Sequence, residues 1–163
     1  VNERDILQMA ALTRDLPLSV RFIEMMATPS NRDLQSDGFL SATRVRTAIE
    51  SHYGILTRAP EQTGNGPARV YRLPGHRGTL GFITPMSHSF CASCNRLRLT
   101  ARGELRLCLF DERDYPLRHL LKTSEPEAAL RQRILELMRV KPEEHHLRSG
   151  TSGNLESFVQ IGG

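Results

Sequence analysis

The chain has 163 residues, 39% of them apolar, and a formal net charge of +4. Enough apolar content is present for a packed core, which excludes global disorder, and no apolar run reaches transmembrane length. No signal-peptide pattern opens the chain, and three closely spaced cysteines argue for metal ligation in a reducing compartment, the cytoplasm, over a disulfide scaffold. With 6% aromatics and no aromatic interleaving, the positive charge suits a small polyanion better than nucleic acid, a merely basic surface being the plain alternative.

Residues 2–13 put Ile6, Leu7, Ala10 and Ala11 on one helical stripe, with Asn2 placed to cap its start. After Pro17, residues 18–23 alternate and read as a strand. A helix followed shortly by a strand fits a unit of an α/β barrel, in which chemistry gathers at the C-terminal ends of strands. Glu24, Met25 and Met26 stand at that end. Arg21 is open to two readings, a ligand contact or an ion pair with Glu24, and Met26 suits a core as well as a site. Residues 27–38 are polar and turn-rich, a loop. Ser41 caps a helix over residues 42–53, with Val45, Ile49 and Tyr53 on one face, Arg44 and Arg46 toward solvent, and Gly54 as the stop.

Residues 59–68 read as an exposed loop, and Gly64-Asn65-Gly66 lacks the strand-to-helix context of a phosphate loop. Residues 69–73 and 79–84 form a hairpin around residues 74–78, leading to the cysteines, and His76 and His88 are loop histidines. Residues 115–122 predict a short helix carrying Leu117, Leu120 and Leu121. Ser124 with Glu127 makes a capping box that opens a helix to residue 140, with Leu130, Ile134, Leu137 and Met138 on its packed face. Pro142, Gly150 and Gly153 break residues 141–157 into turns, and His145-His146 is a solvated pair. The tail turns apolar at Phe158, Val159 and Ile161 and ends in Gly162-Gly163, either a frayed terminus or a side-chain-free tail able to enter a narrow site.

The richest stretch is residues 90–110, F-C-A-S-C-N-R-L-R-L-T-A-R-G-E-L-R-L-C-L-F. It holds Cys91, Cys94 and Cys108, with Arg96, Arg98, Arg102 and Arg106 between them. Residues 97–100 and 105–107 alternate around a Gly-containing turn, so the stretch folds as a hairpin that returns Cys108 to the C-x2-C turn. Three thiolates are one short of a closed four-ligand site, a pattern that leaves a coordination position vacant. His88 could instead complete a Cys3His zinc site, and spacing alone leaves iron–sulfur and zinc both open. Arg96 and Arg98, two apart on the expected strand, would share one face beside the cysteines. Arginine suits phosphate there, because its guanidinium makes paired hydrogen bonds and keeps its charge.

At these residues the chain resembles the C-terminal half of the MoaA family, the GTP 3′,8-cyclases of molybdenum cofactor biosynthesis, which are radical S-adenosylmethionine (SAM) enzymes. Besides F-C-A-S-C-N-R-L-R-L-T and C-L-F, the likeness takes in Gly66-Pro67-Ala68, Gly81-Phe82-Ile83-Thr84-Pro85, Arg21-Phe22-Ile23-Glu24-Met25-Met26 and the terminal Ile161-Gly162-Gly163. It implies an α/β fold: residues 1–57 as the last part of an incomplete (β/α) barrel, and residues 58–163 as a smaller α+β cluster-binding region. It further implies a 4Fe-4S cluster on Cys91, Cys94 and Cys108 with one open iron, GTP held by Arg96, Leu97, Arg98 and Arg21, SAM against Met26, and Gly162 and Gly163 entering the site. The parent reaction it implies is SAM cleavage to a 5′-deoxyadenosyl radical, hydrogen removal from the GTP ribose, and bonding of that sugar carbon to guanine C8. The pathway partner implied is cyclic pyranopterin monophosphate synthase, and a homodimer is compatible with the likeness. Two departures stand out. The family's C-x3-C-x2-C motif for a first cluster, which works with SAM, is absent, and Phe158 and Val159 stand near a position where the family often has methionine. The chain, beginning with Val1, is therefore expected to be the substrate-binding half of a longer enzyme, inactive alone. Rival readings are a zinc-stabilised binding module and an auxiliary cluster domain of another radical SAM enzyme.

Overall fold

The structure, a computed structural model, describes residues 3–33, 38–59, 66–145, 147 and 152–153. Mixed α/β architecture divides into two compact units, Val1–Met26 with Asp33–Phe90 and Ala27–Arg32 with Cys91–Gly163.

In the first unit, a 3-10 turn at Glu3–Asp5 leads into α1 (Ile6–Asp15). Asp5 stands at its N-cap position without a side-chain cap, and Asn2, the expected cap, lies outside the described residues. Ile6, Ala10 and Thr13 form the buried stripe. Strand β1 (Ser19–Ile23) follows, then α2 (Ala42–Tyr53). The Ser41 side chain accepts from the Arg44 N–H, and Gly54 takes φ +98°, a backbone shape that favours glycine. Strands β2 (Thr57–Arg58), β3 (Arg69–Arg72) and β4 (Thr79–Ile83) complete a sheet of order β1-β4-β3-β2. β3 and β4 form the expected hairpin, whereas β1 and β4 run parallel, pairing Arg21 with Gly81 and Phe22 with Phe82. That parallel pair needs a crossover, which α2 and the β2–β3 arm supply. Strand β4 is interior, so Leu80, Gly81 and Phe82 are all buried instead of alternating. Ile6, Ala10, Ala42, Val45 and Ile49 from the two helices pack with Leu56, Leu73, Leu80 and Phe82 as one core.

Two local expectations change here. Arg46 does not point to solvent: it forks onto Glu50 at 2.9–3.1 Å and lies 4.9 Å from the Tyr71 ring centroid. Residues 27–38 are not wholly loop, because Thr28 and Asn31 form a reciprocal cap around a 3-10 turn at Pro29–Asn31.

In the second unit, β5 (Arg98–Leu99), β6 (Glu104–Arg106) and β7 (Tyr115–Pro116) form an antiparallel meander. The expected helix over residues 115–122 is instead β7 followed by a 3-10 helix, Arg118–Lys122. Leu105 pairs with Tyr115 and Glu104 with Pro116 across the sheet, which takes the start of this segment out of the helix. Next comes α3 (Pro126–Met138). The Ser124 capping box does not form; Pro126 occupies the first turn and Glu125 becomes the N-cap, with no side-chain bond. Leu137 is buried with Leu105, Leu107 and Leu117, and Leu130 and Ile134 pack against them. Met138, expected in that packed face, is 52% exposed. Among the described residues no helix is long and apolar enough to cross a membrane.

Candidate functional site

The cysteine stretch forms the expected hairpin, with shorter strands. Arg98 pairs with Arg106 and Leu99 with Leu105. Gly103 turns the chain with φ +78°, its N–H bonded to Thr100 O, while Thr100 N–H bonds to Glu104 O. Cys91–Ser93 make a 3-10 turn in which the Cys94 N–H donates to Cys91 O at 3.0 Å. All three cysteines are half-buried thiols outside any disulfide.

The electrostatics tie the three together. Burial pushes the Cys108 thiol up, and the Phe110 N–H donating to its sulfur works the other way; Cys91, Asp111 and Cys94 raise it further. Burial also pulls the Arg98 guanidinium below its usual range, as does Arg96, while Cys108 and Cys94 oppose the shift. Arg98 thus sits within electrostatic reach of two of the thiols. Among the described residues, no three His, Cys, Asp or Glu groups gather closely enough to hold a metal ion. The donor chemistry itself, three half-buried thiols on one short stretch with the half-buried Arg98 between them in sequence, is of the kind that holds an iron–sulfur group.

The shared strand face expected for Arg96 and Arg98 is not formed. The ladder starts at Arg98, and Arg96 lies exposed in the segment before it. The two guanidinium groups still feel each other, as the Arg98 shift records. Leu97 packs against the apolar core of the second unit. Arg106 is diverted from any ligand: its Nε and an Nη donate to the two oxygens of Asp114, each at 2.7 Å. His88 is exposed, its ring bonded to Ser87 Oγ at 3.3 Å. Gly162 and Gly163 lie outside the described residues.

In the first unit, Arg21 sits on β1 with its aliphatic stem over Gly81; a Cβ there would meet Arg21 Cγ at 3.1 Å. Together with Glu24 and Met25 it lines a cavity of about 370 Å³ at the C-terminal end of β1, walled by Ile6, Leu40 and Val45. The Arg21–Glu24 ion pair is not made. Glu24 is 2% exposed, and its carboxylate accepts from the N–H groups of Ala42, Met86 and Ser87 and from the Ser87 hydroxyl. Burial alone would raise its pKa, but those donors outweigh burial and hold the carboxyl below its usual range. Glu24 therefore pins the end of β1 to the start of α2 and to the 85–87 segment. Sequence reading placed Glu24 at the end of the strand and offered it as an ion-pair partner for Arg21; the distant backbone donors it meets carry no local signal.

The chain belongs to the family described as Molybdenum Cofactor Synthesis C, whose model matches residues 18–147. It is 37% identical to a GTP 3′,8-cyclase of Desulforamulus reducens over 100% of this chain and 50% of that protein. The figures are 40%, over 99% and 50%, for the GTP 3′,8-cyclase of Syntrophomonas wolfei, and 44%, over 100% and 50%, for that of Acaryochloris marina. The chain thus spans about half the length of these curated relatives, matching their C-terminal half.

Proposed function

We propose that this chain is the GTP- and cluster-binding portion of a GTP 3′,8-cyclase, which converts GTP to (8S)-3′,8-cyclo-7,8-dihydroguanosine 5′-triphosphate in molybdenum cofactor biosynthesis. The observation that carries this reading is the β5–β6 hairpin, which pairs Arg98 with Arg106 between Cys94 and Cys108, in a chain whose residues 18–147 match the family. Cys91, Cys94 and Cys108 would hold a 4Fe-4S cluster, which when bound supplies an iron with a vacant position for the guanine ring. Arg98, and Arg96 just before the strand, receive the triphosphate and offset the repulsion between it and the thiolates. Half-burial makes Arg98 the stronger anchor, since less water competes for its donors. Leu97, packed inward, fixes the backbone between the two arginines. In the parent enzyme the family likeness assigns Arg21 to the substrate and Met26 to SAM, as residues of the partial barrel. Orientation of the base against the ribose is the contribution of this portion, a positional form of catalysis. The family's C-x3-C-x2-C motif is absent from this sequence, so this chain alone binds substrate without turning it over.

Titration of the anaerobically reconstituted chain with GTP tests the reading. Arg98→Ala should weaken binding roughly tenfold or more, and Arg96→Ala less, since a charge-assisted bond contributes about 1.5–3 kcal/mol. Binding as tight in both variants as in the parent chain would refute the phosphate assignment.

A further inference from the structure

Lys141 lies just beyond α3, whose Leu137 is buried in the core of the second unit. Its ammonium donates to Cys94 O at 2.6 Å and to Arg96 O at 3.0 Å. No carboxylate forms an ion pair with it among the described residues, so its charge is committed to these two carbonyls. The acceptors flank Asn95, on the segment from which the Cys94 sulfur and the Arg96 guanidinium emerge. The segment from Cys94 to Leu97 lies between the 3-10 turn at Cys91–Ser93 and β5.

We propose that Lys141 is a positioning residue: it clamps the backbone of residues 94–96 onto the end of α3 and so sets where Cys94 and Arg96 present their side chains. A single ammonium meeting two carbonyls two residues apart selects one backbone shape for the residue between them, and charge-assisted bonds are the stronger kind. The anchor behind Lys141 is firm, because α3 is fixed by Leu130, Ile134 and Leu137. A second tie from the same stretch reaches the other arm of the hairpin, where the His145 ring meets the Phe110 ring edge-on at 5.7 Å. Residues 141–145 thereby hold both cysteine-bearing arms. Relevance to cluster and GTP rests on the function proposed above; the clamp itself does not.

The test compares the chain with Lys141→Met and Lys141→Arg. Amide hydrogen exchange is measured without metal, and EPR spectra are recorded after anaerobic reconstitution and reduction. Lys141→Met should speed exchange at Cys94 and its neighbours about tenfold, leave the Leu105 and Leu107 amides unchanged, and alter the EPR line shape of the reduced cluster. Lys141→Arg, which keeps charge and donors, should restore both. Unchanged exchange over residues 91–98, or loosening spread evenly through the second unit, would overturn the clamp. If Lys141→Met does not fold, Lys141→Gln is read in the same way. A parent chain that takes up no iron would refute the proposed cluster, while exchange still decides for or against Lys141.

Discussion

Among the described residues, nine buried apolar residues from Ile6 to Phe82 pack two helices against a four-stranded sheet in the first unit, whereas the corresponding cluster in the second is four leucines, Leu105, Leu107, Leu117 and Leu137. The second unit makes up the difference with directional links. Arg106 forks onto Asp114, Lys141 bridges two carbonyls, and Gly153 lies so close to Phe110 O that a Cβ there would collide with it. Burial is indifferent to direction, whereas ion pairs and hydrogen bonds fix it. The unit that carries the cysteines is thus the one held by geometry more than by bulk, and its thiols remain half-exposed. A bound metal group there would add to stability as well as to chemistry.

The contrast is broken most severely at Glu24, a polar hub within the first unit. Glu24→Ala leaves one buried and two part-buried N–H donors and the Ser87 hydroxyl unmatched and should lower stability by about 4 kcal/mol in chemical denaturation. The folded-state pKa of Glu24 lies below its unfolded value, so its contribution is complete above the unfolded carboxylate range, about 4.3, and disappears as pH falls through the folded value. The variant should show a flatter acid limb in a stability–pH profile. Next comes Leu107→Ala, at a fully buried position, expected to cost about 3 kcal/mol. Hydrogen exchange should report loss of protection in the meander and α3 while β1, β3 and β4 keep theirs, which would separate the two units in stability. Arg106→Met strands Asp114 and should cost about 2 kcal/mol, with Arg106→Lys intermediate because the fork is lost but the charge kept. Smallest is a pair of cap variants. Ser41→Ala should cost about 1 kcal/mol in thermal unfolding, whereas Ser124→Ala should stay within about 0.5 kcal/mol, because only Ser41 makes a cap bond.

That last pair also marks what could be read in the sequence. Local signals succeeded where the structure uses them locally: Ser41 and Gly54 bound α2, and Gly103 turns the hairpin at a positive φ. The same kind of signal failed at Ser124, because Pro126 enters the first helical turn and shifts the cap to Glu125. Leu117, Leu120 and Leu121 have helical spacing, yet Tyr115 and Pro116 are drawn into a strand by β6, a pairing no local window contains. The polar hubs were invisible for the same reason. Glu24 takes donors from 18 and 63 residues away, and Lys141 finds acceptors 47 and 45 residues back. Cys91, Cys94 and Cys108 stood out because their close spacing within one short stretch matches a metal-ligand pattern, and Arg98 because it lies inside that spacing. Arg106 shared the pattern and was diverted by Asp114, a partner that charge alone does not single out.

The most direct test of the cysteine site is iron, sulfide and zinc analysis of the anaerobically reconstituted chain beside its Cys108→Ser variant. About four irons with matching sulfide per chain, largely lost in the variant, is the predicted result. Stoichiometric zinc without iron uptake, or full iron content in Cys108→Ser, would contradict it.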